Sequence, residues 1–377
     1  MELKTVRIKR NFPPSGLQNP TGSCFMNSTL QMLYHVPLFR WLVINYSSAQ
    51  EVVDKMQKKK KGWQSAPNDC FRVPPHFPEM KLNEMGDMQM FYNILQIKIR
   101  RLFDYTAFRG CCDKLFWSKI ADVATLPGVG IKQININNVS SISVSVQDAD
   151  NLYDSIRVML NRDNPVQKAS DYMNERGERP IITIGTKRTR FLSLPAVLTF
   201  SLGRWKIRRE QGGDGKMYTW MDKDTTHFYF PMDIDMSQFV QPLNEQERKG
   251  IIEEDYFGLG KEQNEDDKSH IISDEMMYKC VNAFDDSSSD RHISLQYTLL
   301  SIGVHVGNVG GGHYYTHIRP DASDRWFVLD DANVRQISNQ EAVDSTFGGW
   351  GRDNEGCAYV IMYVRKEFVP QVMLWGE

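Results

Sequence analysis

Two short islands, residues 16–33 (GLQNPTGSCFMNSTLQML) and 310–331 (GGGHYYTHIRPDASDRWFVLDD), hold a thiol, an amide, an imidazole and paired carboxylates at opposite ends of the chain. A thiol attacks only as thiolate, so a nucleophilic cysteine needs an imidazole within reach and an orienting group behind it. Any fold that uses these islands must bring them together. Cys24 stands at the entrance of an amphipathic stretch whose N-terminal end favours negative charge. Asn19 offers a side-chain amide for an oxyanion, and the intervening turn offers backbone N–H groups. His313 follows three glycines and opens a strand, and Asp330 ends the next strand, placed to pair with it across a hairpin. Asp331 is an adjacent carboxylate. Since neighbouring strand positions point to opposite faces, spacing leaves open which of the two meets the imidazole. His317 shares a face with His313, and His305 ends the preceding strand. Only His313 follows the glycine loop, so it ranks first.

Rival chemistries fit less well. Of the six cysteines, only Cys111 and Cys112 are close in sequence, and an adjacent pair is not the CxxC spacing of structural zinc. Gly310-Gly311-Gly312 lacks the Lys-Ser/Thr of a phosphate loop and runs into a strand. A net charge of −2 over 377 residues gives no basic field for nucleic acid or anionic membrane. Neither a signal peptide nor an apolar run of membrane-spanning length is legible. The cysteines suggest a reducing intracellular compartment, and no cofactor is expected.

The residues between the islands read as mixed α and β. Met26, Leu30, Leu33 and Tyr34 recur at helical spacing until Pro37, which is expected to stop the helix. Residues 51–80, with the basic run 58–61, read as an exposed excursion. Met88, Phe91, Tyr92, Leu95, Ile99, Leu102 and Phe103 form one helical face. From 108 to 195 the pattern is that of a smaller antiparallel β region, with Ile142, Val144 and Val146 in one run and Ile182 and Ile184 in another. Residues 194–202 read as a central strand, 244–291 as an acidic, flexible insertion, and strands return over 295–305, 313–319, 326–330 and 358–364.

These residues together resemble the ubiquitin-specific proteases. The first island matches that family's GLxNxGxTCYMNSxLQ box at Gly16, Leu17, Asn19, Cys24, Met26, Asn27, Ser28, Leu30 and Gln31. The second matches its GGHYxxY…W…F[DN]D box at Gly311, Gly312, His313, Tyr314, Trp326, Asp330 and Asp331. Residues 86–89 are similar to its DVQE segment, 191–205 to FLxLPPVLxxxLxRF, 227–239 to FxFPxxLDMxxF and 357–365 to NAYMLVYIR. The nearest subgroup is the herpesvirus-associated one. The resemblance implies an α+β, papain-like fold and a single catalytic domain over 1–377. Its parts would be a helical thumb (11–107), zinc-free β fingers (108–195), and a palm (196–377) carrying the remaining finger strands and the insertion. It implies Cys24 as nucleophile, His313 as general base, Asp330 as its orienter, Asn19 as oxyanion donor and Asp331 as an assisting carboxylate. Asp87, Gln89, Tyr314 and Gly312 would bind substrate, Asp87 by pairing with an arginine of the ubiquitin tail. Residues 205–224 and 306–312 would be loops flanking the cleft.

The implied partners are ubiquitin and ubiquitinated proteins, the implied state a monomer, and the implied location cytoplasmic or nuclear. The sequence departs from the family pattern at Thr21-Gly22-Ser23, ahead of the nucleophile, and at Met90, where the DVQE glutamate would stand. These departures keep two other readings open: a catalytically weak ubiquitin-binding module, and a protease for another ubiquitin-like modifier.

Overall fold

The computed structural model describes residues 13–20, 22–46, 86–106, 108–125, 132–168, 183–243, 251–252, 294–308, 311–349 and 356–373. The expected excursion at 51–80, Ile182, Thr21, Gly310 and all of the acidic insertion but 251–252 lie outside these residues.

Among the described residues, four helices lead: α1 (Cys24–Tyr34), α2 (Pro37–Ile44), α3 (Met88–Asp104) and α4 (Cys111–Phe116). The expected first helix forms, but not on the expected face. Leu30 and Tyr34 are exposed, whereas Asn27, Ser28, Thr29 and Gln31 are buried. Burial there follows hydrogen-bond partners rather than hydropathy: Asn27 Nδ2 donates to the Gln18 carbonyl at 3.1 Å and Gln31 Nε2 to the Ser15 carbonyl at 2.8 Å. The first helix ends at Tyr34, before Pro37 as expected, and Pro37 then opens α2, because a missing N–H costs nothing at the first helical position. α3 buries the predicted stripe.

The largest sheet runs β14 (Asn333–Ile337), β13 (Trp326–Asp330), β12 (Gly311–Ile318), β11 (Gln296–Asn308), β15 (Cys357–Arg365), β6 (Val197–Gly203), β3 (Ile142–Ser145), with β9 (Asp233–Asp235) pairing β11. Every residue of β15 is buried, and its side chains alternate between two cores. Met362 and Val364 face the helices α1–α4, while Ile361 and Tyr363 face a second cluster with Phe200, Phe228 and Phe230.

A second sheet, β10 (Ile251–Ile252), β2 (Lys132–Val139), β1 (Ser118–Thr125), β5 (Thr183–Ser193), β4 (Asn164–Lys168), has a small core of Ala121, Val123, Ile134 and Leu243. The region 108–195 is therefore not all one β unit. Its helix α4 belongs to the N-terminal core. β3 joins the large sheet parallel to β6, and helix α5 (Leu152–Asn161) packs against that sheet. The acidic segment, expected to lack structure, contributes β10, which pairs in parallel with β2. Residues 205–223 are not a loop: they form a two-stranded hairpin, β7 (Trp205–Gln211) and β8 (Met217–Lys223). Helices α6 (Asn339–Asp344) and α7 (Val369–Met373) complete the described elements.

Candidate active site

The two islands meet where α1 abuts β12 and β13. Cys24 is the first residue of α1 and is buried. Gly22, just before it, has φ +73°, a conformation that glycine adopts without the strain a side chain would bring. His313 stands near the start of β12, paired with Val306 of β11. Its Nε2 lies 2.5 Å from Oδ1 of Asp330, the last residue of β13. The hydrogen bond that the protonated imidazole donates to the Cys24 sulfur is the largest influence on it; burial opposes it, and the Asp330 bond and charge add to it. The result is a pKa raised to about 9. Cys24 and Asp330 thus both act on the one imidazole, His313.

Asp331 does different work. It occupies the turn between β13 and β14 with φ 50°. Its Oδ2 accepts from Asn19 Nδ2 at 2.9 Å, its Oδ1 from Asn27 Nδ2 at 2.8 Å, and its carbonyl from the Leu17 N–H at 2.8 Å. Its carboxylate stays 4.0 Å from His313 Nε2. Asn19 also accepts from the Ser23 N–H at 2.6 Å, so that backbone donor is already used. The first-turn N–H groups of α1, that of Cys24 among them, have no intrahelical acceptor, and the Asn19 amide carries a second hydrogen, so both are candidate oxyanion donors.

The four expected substrate contacts are placed less uniformly. Asp87 caps α3, its Oδ1 accepting from the Met90 N–H at 2.8 Å, and its Oδ2 accepts from the Tyr359 hydroxyl at 2.5 Å. No ion pair reaches it among the described residues. Gln89 spends both amide hydrogens inside the fold, on the carbonyls of Leu202 (3.0 Å) and Tyr359 (2.8 Å). Tyr314 is buried, its ring 4.5 Å from that of His305, and its hydroxyl meets Asp87. Both Tyr314 and Tyr359 are pushed far above the ordinary phenol range by burial and by the Asp87 charge, so they remain donors. Gly312 lies so close to β11 that a Cβ there would sit 2.4 Å from the Val306 carbonyl. Gln89 and Tyr314 are thus internal supports more than exposed contacts, because the sheet beneath them claims their polar groups.

The other two histidines stay out of the triad. His305 is buried and lowered to about 4 by burial, by nearby Lys223 and by His313. His317 is buried with Nδ1 2.8 Å from the Ala342 carbonyl. His313, Asp330 and Asp331 bring ligand atoms within 4.8 Å of one another, the spacing of a metal cluster. However, Asp331 commits both oxygens to Asn19 and Asn27, and His313 commits Nε2 to Asp330, so the donors are arranged as a hydrogen-bond relay. Cys111 and Cys112 are buried free thiols within the helical core.

Sequence reasoning missed the positions of Tyr359 and Trp205. Tyr359 sits in an apolar strand that masks its one polar tip, and Trp205 opens a largely polar, exposed strand.

Comparison with known proteins follows the same lines. The family model described as ubiquitin carboxyl-terminal hydrolase matches residues 15–363. Ubiquitin carboxyl-terminal hydrolase 34 of Homo sapiens is 25% identical over 360 residues, covering 89% of this chain and 9% of that protein. Ubiquitin C-terminal hydrolase 12 of Arabidopsis thaliana is 22% identical over 358 residues, covering 89% of this chain and 26% of that one. The chain therefore spans about a quarter or less of the length of these relatives. A solved structure of the SAGA Ubp8/Sgf11/Sus1/Sgf73 DUB module bound to ubiquitin aldehyde shares the fold, with TM-score 0.58, 17% identity, and coverage of 94% of this chain and 70% of that chain.

Proposed function

The chain belongs to the ubiquitin carboxyl-terminal hydrolase family, and on that premise we propose that it is a thiol-dependent deubiquitinase that hydrolyses the isopeptide bond at the ubiquitin C-terminus. The observation that carries this reading is His313 Nε2 placed 2.5 Å from Asp330 Oδ1 on an imidazole whose pKa Cys24 and Asp330 together raise. His313 holds the proton as an imidazolium while the Cys24 sulfur attacks the carbonyl of the terminal glycine. The oxyanion that forms is met by the second Asn19 amide hydrogen and the Cys24 N–H. His313 then returns the proton to the departing lysine amine, leaving a thioester. Water, deprotonated by His313, releases ubiquitin and the thiol. Asp330 holds the imidazole's orientation and favours its charged form. Asp331 acts one step back, by orienting Asn19.

Asp87 supports ubiquitin as the modifier. A carboxylate held by donors of the fold, with no ion pair among the described residues, is ready for a cation from outside, and a tail arginine supplies one.

The test is intact mass after incubation with ubiquitin carrying a C-terminal thiol-reactive group. A one-ubiquitin adduct on the wild type, absent in Cys24→Ala, is expected. No adduct on folded wild type overturns the reading for ubiquitin, and an adduct only with another modifier's probe moves the chemistry to that modifier.

A further inference from the structure

Trp205 opens the hairpin β7–β8, and its ring packs edge-on against His305 at 5.6 Å and Tyr359 at 5.8 Å. Its Nε1–H donates to the Tyr359 hydroxyl at 2.6 Å, and that hydroxyl donates to Asp87 Oδ2 at 2.5 Å. The direction of this chain is forced. An indole nitrogen can only donate, and a phenol has one proton. Once Tyr359 accepts from Trp205, its own proton is free for the carboxylate alone. Asp87 Oδ1 is meanwhile tied to the Met90 N–H, so both oxygens are held and the carboxylate plane is set.

We infer that Trp205 is a positioning residue that sets the Asp87 carboxylate, through Tyr359, to accept a basic side chain of the substrate's tail. The inference rests on the proposed activity and deepens it. It assigns discrimination for a basic tail to the Trp205–Tyr359–Asp87 relay. Because Trp205 also begins the hairpin, the relay ties that discrimination to the hairpin's placement. Further along, the hairpin leaves Ile207, Met217, Tyr218 and Met221 largely exposed, so its outer part stands away from the core while its first residue is anchored in the cleft.

The experiment compares steady-state kinetics on ubiquitin with a C-terminal fluorogenic group and on the same substrate with its tail arginines replaced by alanine. The enzymes are wild type, Trp205→Phe, Tyr359→Phe, Asp87→Asn and Trp205→Phe/Asp87→Asn, each first checked for folding by its melting profile. Trp205→Phe keeps the ring and removes the N–H. It is expected to raise KM about three- to tenfold on the normal tail, the value of one such hydrogen bond, with kcat within about twofold. Tyr359→Phe should do the same. Both penalties should vanish on the arginine-free tail, and that of Trp205→Phe should also vanish in the Asp87→Asn background.

Equal penalties on both tails, or additive effects of Trp205→Phe and Asp87→Asn, would show a merely structural tryptophan and overturn the inference, as would no penalty at all. The Cys24 adduct is measured on the same wild-type sample. Without it the proposed activity fails and the inference with it. With it, only the inference is at stake.

Discussion

His313 carries its charge across the neutral range because two neighbours favour the imidazolium, Cys24 more strongly than Asp330. In an NMR titration its midpoint should lie at about 9, fall in Asp330→Asn, and fall further in Cys24→Ala. Since its folded value exceeds the ordinary 6.5, its stabilising contribution is complete below that pH and is lost as pH rises through about 9. The stability difference between wild type and Asp330→Asn, read by denaturant unfolding, should fade over the same window. Asp330→Asn should also lower kcat by roughly 10²- to 10⁴-fold, since it acts through the general base. Asp331→Asn should behave differently. It sets an amide against the amides of Asn19 and Asn27, costing about 1–3 kcal/mol and some kcat, while the His313 titration stays where it was. Residue types and spacing singled out Cys24, His313, Asp330, Asp331 and Asn19 in advance, though not Asn27. They did not say which aspartate meets the histidine, because that depends on where β13 ends and on the positive φ of Asp331.

At the scale of elements, sequence reading succeeded where a side chain's partners were apolar and failed where they were backbone carbonyls. The stripe of α3 and the strand β6 were legible because hydrophobic burial is periodic. The buried face of α1 was not, since Asn27 and Gln31 are drawn inward by carbonyls that no local pattern reveals. Gln89 is the same case: its amide stitches α3 to β6 and β15. Gln89→Glu would place carboxylate oxygen against two carbonyls, and urea unfolding should show a loss of roughly 2–4 kcal/mol, combining lost hydrogen bonds with a poorly solvated charge. A residue serving only substrate would leave stability unchanged. The hairpin β7–β8 was read as a loop because its exposed strands have no apolar alternation against a core, and each strand is stabilised mainly by the other.

Across the whole molecule, several histidines are buried neutral. Burial lowers His35 and His305 to about 4, and His317 in the same direction. Groups with depressed values stabilise the neutral fold fully above 6.5, and that contribution drains as pH falls toward 4. Unfolding free energy should therefore drop between pH 7 and 4, by on the order of 2–3 kcal/mol for each of His35 and His305. Glutamine at position 305 should flatten part of the slope. The general plan, helices α1–α4 packed on one face of a large sheet with a second, smaller sheet, followed from motif order, while the split of 108–195 between two sheets did not, since strand pairing is non-local. Asn19 and Asp331 are bonded across 312 positions of sequence. The ribosome delivers the N-terminal partner first, so the intervening residues must all be synthesised before Asn19 finds its anchor. Contacts so distant in sequence form slowly, and a truncated nascent product carries a cysteine that is chemically idle. Activity regained during refolding is thus a clock for a loop closure of 312 residues.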